Sequence, residues 1–211
     1  MVFHVKQDHK SDGAELLSRF TRTPEQMDKL HAYAALLVKW QKSINLVGPD
    51  TIPSLWRRHF LDSAQLFPLL PQNIHRLVDM GSGAGFPGLV LAILGTPDVH
   101  LIESDARKCA FLREVARVTE TKITLHNARI DKIAPLAADV VTARALASLE
   151  KLLDMAVPHL LPGGHCLFLK GRGADDELTQ ASKEWNIATQ RITSLSDPSG
   201  LVLHLQEVRR G

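Results

Sequence analysis

From Arg76 onward, short apolar runs alternate with longer stretches whose apolar positions recur every three or four residues. The first pattern is that of buried strands and the second that of helices packed along one face. It predicts strands near 76–80, 99–103, 122–126, 138–143, 164–169, 188–195 and 201–208, with helices at about 87–95, 105–119, 148–159 and 175–184. Strands and helices in alternation imply an α/β fold with a mainly parallel sheet covered on both faces. Pro162-Gly163-Gly164 reads as a turn before the fifth strand.

The chain before Arg76 carries only helical periodicity. Residues 1–11, with His4, Lys6, His9 and Lys10, are polar and are expected to fray, and Asp12 to Phe20 suits a short helix. Thr23 is a predicted N-cap, Pro24 a first helical residue, and Gln26 the closing member of a capping box. Leu30, Tyr33, Ala34, Leu37, Trp40 and Ile44 then follow at helical spacing, toward an end near Asn45 or Gly48. A second helical stretch after Pro49 carries Ile52, Leu55, Trp56, Phe60, Leu61 and Phe67 and ends at Pro68 or Pro71. The expected organisation is an N-terminal helical extension over 1–72, packed on a core domain over 73–211, with no flexible linker between them.

Composition narrows the picture. A chain of 211 residues, 45% of them hydrophobic, holds one good-sized domain and an appendage. A net charge of only +2 leaves nucleic-acid binding to the distribution of Lys and Arg rather than to their excess. The two cysteines, Cys109 and Cys166, have neither paired spacing nor neighbouring ligands, which fits packing in a reduced compartment. Ten histidines show no metal-ligand pattern, so no metal is expected. No apolar leader core and no membrane-length apolar run is present, so the expectation is a cytoplasmic protein, and a monomer.

The chemistry concentrates at Asp79-Met80-Gly81-Ser82-Gly83-Ala84-Gly85-Phe86-Pro87-Gly88, where a strand passes through a glycine turn into a helix. Gly81, Gly83 and Gly85 permit positive φ and close approach of a ligand to the backbone. A dinucleotide fingerprint has its third glycine five positions after the first, and Phe86 stands there instead. Asp79 would repel a pyrophosphate and suits a ligand bearing an ammonium and a sulfonium, which describes S-adenosylmethionine. Glu103, 22 residues after Gly81 and at the end of the next strand, is near the spacing at which a carboxylate reaches an adenosine ribose; the alternative is a surface glutamate.

Other candidates end strands, where ligands of such sheets collect. Ile130-Asp131 offers an apolar clasp and an edge acceptor for adenine, or is an ordinary loop. Arg144 needs an anionic partner so near a core strand: the methionine carboxylate of the cofactor, or a structural ion pair. Arg58, in the Arg57-Arg58-His59 cluster, and Lys170 and Arg172 after the fifth strand are positioned to flank the cleft and hold RNA phosphates, unless they form solvated faces.

Taken together, Lys39-Trp40-Gln41-Lys42-Ser43-Ile44-Asn45-Leu46, Arg58-His59-Phe60-Leu61-Asp62-Ser63, the glycine loop, Asn127-Ala128-Arg129, Thr142-Ala143-Arg144-Ala145 and Leu169-Lys170-Gly171 resemble the 16S ribosomal RNA guanine-N7 methyltransferases known as RsmG or GidB. The resemblance spans about 25–172. It implies a class I, Rossmann-like methyltransferase fold with a seven-stranded, mostly parallel sheet. It implies methylation of guanosine 527 in 16S ribosomal RNA, free or in a small-subunit particle, with S-adenosylmethionine as cofactor and S-adenosylhomocysteine as product. By matching positions it implies cofactor contacts at Gly81, Phe86, Ile130, Asp131 and Arg144, with Asp131 standing where many relatives carry Glu.

Guanine N7 already presents a lone pair, so its methylation requires alignment and no proton abstraction. No general base is expected. There is no Asn-Pro-Pro-Tyr segment of the adenine-amine type, and neither cysteine follows a proline as in carbon-5 cytosine enzymes. The competing readings are a Rossmann-type NAD-dependent oxidoreductase, disfavoured by the glycine spacing and Asp79, and a non-catalytic ribosome-binding module that keeps the fold.

Overall fold

The computed structural model describes residues 11–211; the basic arm with His4, Lys6, His9 and Lys10 lies outside them. Seven strands form one sheet in the order β3-β2-β1-β4-β5-β7-β6. They are β1 (Leu77–Met80), β2 (Val99–Ile102), β3 (Thr124–His126), β4 (Ala138–Arg144), β5 (Leu160–Lys170), β6 (Trp185–Thr193) and β7 (Leu201–Arg210). Strands β1 to β5 pair in parallel, and β7 runs antiparallel between β5 and β6. The order reverses between β1 and β4, which sets the switch point at the carboxyl end of β1.

Every residue of β1 and β2 is buried, Asp79 and His100 included, as a sheet covered on both sides requires. Alternate side chains feed two cores. Leu77 and Leu167 join the one built with Leu30, Leu37, Leu89 and Phe111. Val78, Met80 and Phe168 join the other, with Leu149, Leu152 and Leu153. The helices on these faces are α2 (Pro24–Trp40), α4 (Gly88–Ile93) and α5 (Ala106–Val118) on the first, and α6 (Leu149–Ala156) and α7 (Ala174–Ala181) on the second; α1 (Ser11–Ser18) leads into α2.

The turn signal at Pro162-Gly163-Gly164 lies inside β5 instead of before it. Leu160 pairs with Ala138 and His165 with Val140, so residues 161–164 bulge out opposite Asp139, with Gly163 at φ +79. The sixth strand starts earlier than its apolar pattern suggests, at Trp185, and has a register shift between Asn186 and Ala188.

Helix α2 begins as its cap sequence demands, with the Thr23 hydroxyl accepting from the Gln26 amide N–H. The Gln26 side chain accepts from Arg22 N–H, one residue beyond the expected box, and donates to the Leu94 carbonyl at 2.9 Å, tying the helix start to the core. The helix stops at Trp40, short of Asn45, because Gln41 turns the chain. Its side-chain oxygen accepts from the amides of Leu46 and Val47, and its nitrogen donates to the Val47 carbonyl.

The stretch expected as a second regular helix is a series of tight and wide turns. A 3-10 segment, Pro49–Ser54, leads to a π-helical turn, Trp56–Leu61, then to α3 (Asp62–Ala64) and a 3-10 turn, Phe67–Leu69. π turns are rare and gather at functional sites. This one buries His59, Phe60 and Leu61 together.

Tyr33 couples the helices to the glycine loop. It is fully buried, stacks on Phe86 at 5.3 Å, meets Phe60 edge-on, and donates its hydroxyl to the Ala84 carbonyl. Tyr33→Phe keeps the ring packing and strips that carbonyl of its donor. The expected loss is about 1–3 kcal/mol of stability, measured by urea denaturation; an unchanged midpoint would show that this hydrogen bond holds nothing.

Candidate functional site

The glycine loop leaves β1 through Gly81, at φ +63, where a Cβ would lie 2.6 Å from Leu146 Cδ1. A side chain there is strained by the conformation and would need Leu146 to shift. The turn is closed by Gly85 N–H and Phe86 N–H donating to the Ser82 carbonyl, and Ser82 N–H donating to Ile102 O.

Two buried carboxylates grip this backbone. Glu103, 8% exposed, accepts from Gly83 N–H at 2.9 Å with one oxygen and from Asp105 N–H at 2.7 Å with the other. Asp79 sits beneath the loop with no exposure, accepting from the Thr142 hydroxyl at 2.8 Å and from Gly88 N–H at 3.2 Å. Burial drives its carboxyl up to about 6, against the hydrogen bonds of Thr142 and Gly88 and the charge of Arg144. The expectation that Asp79 meets a cationic ligand is thereby corrected: its oxygens serve the underside of the loop.

A cleft of about 610 Å³ opens over the loop. Gly81, Gly83, Glu103, Ile130, Asp131 and Arg144 all line it. Phe86 does not: its ring is 3% exposed and packed among Tyr33, His59 and Phe60. Phe86 acts from below, as the surface on which the Arg144 guanidinium rests at 5.0 Å. The Asp131 carboxylate is more than half exposed and paired with Arg129 at 3.0 Å.

Sequence reasoning missed Lys108, Leu146 and Met155 in the lining. Leu146 was reachable, since it follows the end of β4; Met155 lies on α6 at an ordinary helical position, and nothing in the sequence marks it. Ala145 holds a left-handed φ of +50, which no residue type advertised.

A second cleft, of about 400 Å³, shares Arg144 and Ala145 with the first. Arg144 donates through one nitrogen to Asp62 at 3.4 Å and to the Arg58 carbonyl at 3.2 Å, and desolvation lowers its pKa. Asp62 is braced by Gln65, Ser194 and Ser196. A structural ion pair for Arg144 therefore exists, with long N–O distances.

Of the basic candidates, Lys170 lines the second cleft but is paired within the protein. Its ammonium, 9% exposed, is bound to Glu177 at 2.7 Å and to the Ala147 carbonyl at 2.8 Å, because the start of α7 folds back over the end of β5. Arg58 is half exposed and paired with Asp197 at 2.8 Å; the Ser199 amide and hydroxyl, then Arg58, hold the Asp197 carboxyl down at about 2. Arg172 is exposed after β5 and lines neither cleft. His59, in the second cleft, is held neutral by burial and by Arg144 and Arg58, which lower its pKa to about 3. Cys109 and Cys166 are buried and unpaired, and burial pushes both thiols up. Among the described residues no His, Cys, Asp and Glu group is placed to hold a metal, and no helix is long and apolar enough to cross a membrane.

The family model of rRNA small subunit methyltransferase G matches residues 26–201. A curated ribosomal RNA small subunit methyltransferase G of Paramagnetospirillum magneticum is 68% identical, covering 93% of this chain and 96% of that protein. Its counterpart in Rhodospirillum rubrum is 54% identical over 88% and 92%. Among solved structures, M. jannaschii TYW2 in complex with AdoMet matches at a TM-score of 0.55 and 17% identity, covering 81% of this chain and 80% of that one, a likeness of fold.

The raised pKa of Asp79 gives a pH test. The folded value lies above the ordinary value of 3.8, so the protonated carboxyl contributes stability that is full below about pH 4 and lost as pH rises through about 6. Asp79→Asn does not titrate. The stability of the wild type relative to Asp79→Asn should fall by roughly 3 kcal/mol across that window and level off above it. Urea denaturation in steps of pH measures the difference, and a flat difference would refute the shift.

Proposed function

Because the chain belongs to the rRNA small subunit methyltransferase G family, we propose that it methylates N7 of a guanosine in the small-subunit ribosomal RNA, guanosine 527, in the cytoplasm. The methyl donor is S-adenosylmethionine. The observation that carries the reading is the meeting of two clefts across Arg144 and Ala145: one over the glycine loop, sized for a nucleoside cofactor, and one beside it for an acceptor.

The residues of the first cleft fit the cofactor. Each Glu103 oxygen spends one lone pair on a backbone N–H and keeps another for a ribose hydroxyl. Gly81 presents backbone alone to the cleft, and the space a Cβ would take is filled by Leu146. Ile130 offers an apolar face to adenine, and Asp131 an edge acceptor once it leaves Arg129. Arg144 engages its neighbours through one nitrogen and retains donors for the methionine carboxylate.

When bound, S-adenosylmethionine supplies the methyl group, the N7 lone pair forming the new N–C bond as the C–S bond breaks and its electrons stay on sulfur. N7 carries no proton, so no residue of the chain need accept one. That suits a second cleft whose histidine is neutral and whose carboxylates are engaged. The protein's part is alignment, and the rigid loop and braced Arg144 provide it.

Glu103→Ala removes the ribose acceptor and frees the Gly83 amide. Calorimetry should show S-adenosylmethionine binding weakened by about 1–3 kcal/mol, with labelled methyl transfer to small-subunit rRNA reduced in parallel. Unchanged affinity would return Glu103 to a purely structural role, and wild-type protein transferring no label to rRNA would overturn the activity.

The basic residues separate by environment. Removing Arg58 and Arg172 together should lower RNA affinity and flatten its salt dependence by about one unit of log–log slope for each phosphate no longer neutralised, with cofactor affinity unchanged. An unaltered slope in the double variant would place the RNA surface elsewhere.

A further inference from the structure

The cations lining the second cleft are engaged within the protein: Lys170 with Glu177, Arg58 with Asp197 and Arg144 with Asp62. Affinity for RNA comes largely from cations that neutralise phosphates, so positive charge left unengaged elsewhere on the surface carries weight. It gathers on the outer face of α5.

An open groove of about 370 Å³ runs between α5 and β3, the edge strand of the sheet. Arg113, Arg117, Thr121 and Lys122 line it with Ile123 and Leu125, and no carboxylate does. The three cations are exposed, and Arg113 and Lys122 have no ion-pair or hydrogen-bond partner among the described residues. Arg117 holds Glu114 through two bonds of 2.9 Å and keeps its third nitrogen unengaged. The face extends onto α2, which packs on α5 through the Trp40 and Phe111 rings, 5.7 Å apart. Exposed Lys39 lies near enough to join Arg117, whose hydrogen bonds act most strongly, in holding the Glu114 carboxyl below its usual range. At the other end of the same helix Lys108 lines the cofactor cleft. Lys108 and Arg117 are about 14 Å apart along the helix axis, roughly the rise of four phosphates along one strand.

The strip thus carries Lys39, Lys108, Arg113, Arg117 and Lys122 against Glu114 and Glu120, in a chain whose net charge is only +2. We propose that this face of α5 is a docking surface for rRNA, taking successive phosphates of a strand that leads away from the clefts. The proposal rests on the reading of the protein as an rRNA methyltransferase. A polyanion is the partner that fits, because the groove sets guanidinium and ammonium donors side by side with no carboxylate among them.

The test combines Lys39→Gln, Arg113→Gln and Lys122→Gln, none of which lines either cleft. Binding to protein-free 16S rRNA and to small-subunit particles is measured across salt concentrations, beside labelled methyl transfer and calorimetry of S-adenosylmethionine. At low salt the variant should bind both about 10-fold or more weakly, with the log–log salt slope flatter by about two units. KM for the particle should rise while kcat and the Kd for S-adenosylmethionine stay as they were. An unchanged slope overturns the proposal. So does weakened binding to the particle alone, which would make the partner a ribosomal protein. Glu114→Gln with Glu120→Gln keeps the question open to test should the triple variant not fold: it frees Arg117 and should tighten binding and steepen the slope, and unchanged binding overturns the proposal as well. Wild-type protein that binds S-adenosylmethionine and transfers no label to either RNA overturns the methyltransferase reading itself, and this proposal with it.

Discussion

The site depends on one constraint, the immobility of a glycine-rich turn that has no side chains with which to hold itself. Glycine permits the left-handed backbone at Gly81 and would equally permit many other conformations. The fold removes that freedom from outside. Glu103 grips the Gly83 amide from the neighbouring strand, Asp79 grips the Gly88 amide from beneath, and Tyr33 donates to the Ala84 carbonyl from the helical extension. Three elements distant in sequence thus fix one short loop, and the helices before residue 73 help support the candidate cofactor cleft although none of their described side chains lines it.

The architecture was legible because burial on both faces of a parallel sheet writes itself as uninterrupted apolar runs, and all seven strands fall near the runs that predict them. The irregular parts were not. A π turn and 3-10 turns share enough of the helical period that 49–69 reads as an ordinary helix, and Gln41 ends α2 through side-chain bonds to residues five and six positions on, which no local propensity encodes. Residues 161–164 carry a turn signal that the sheet absorbs as a bulge.

Within the site, positions set by backbone geometry were readable and roles set by partners were not. Gly81, Gly83, Glu103 and Arg144 meet at the cleft because strand ends must meet there. Lys170 ends a strand as well, yet Glu177 on α7 claims its charge. Asp79 and Phe86 were read as facing a ligand, whereas both face inward, one toward amide donors and the other toward aromatic rings. Sequence places a residue on an element; its partners come from elements far along the chain.

Arg144 belongs to both clefts and is held by Asp62 through a long ion pair. A guanidinium drawn toward a carboxylate in the first cleft would loosen its hold on Asp62 in the second, and the two occupancies would then be linked. Linkage is reciprocal: by whatever factor one ligand alters the affinity of the other, the second alters the first equally. Any free energy of coupling between the clefts would pass through a single side chain lying on an aromatic ring.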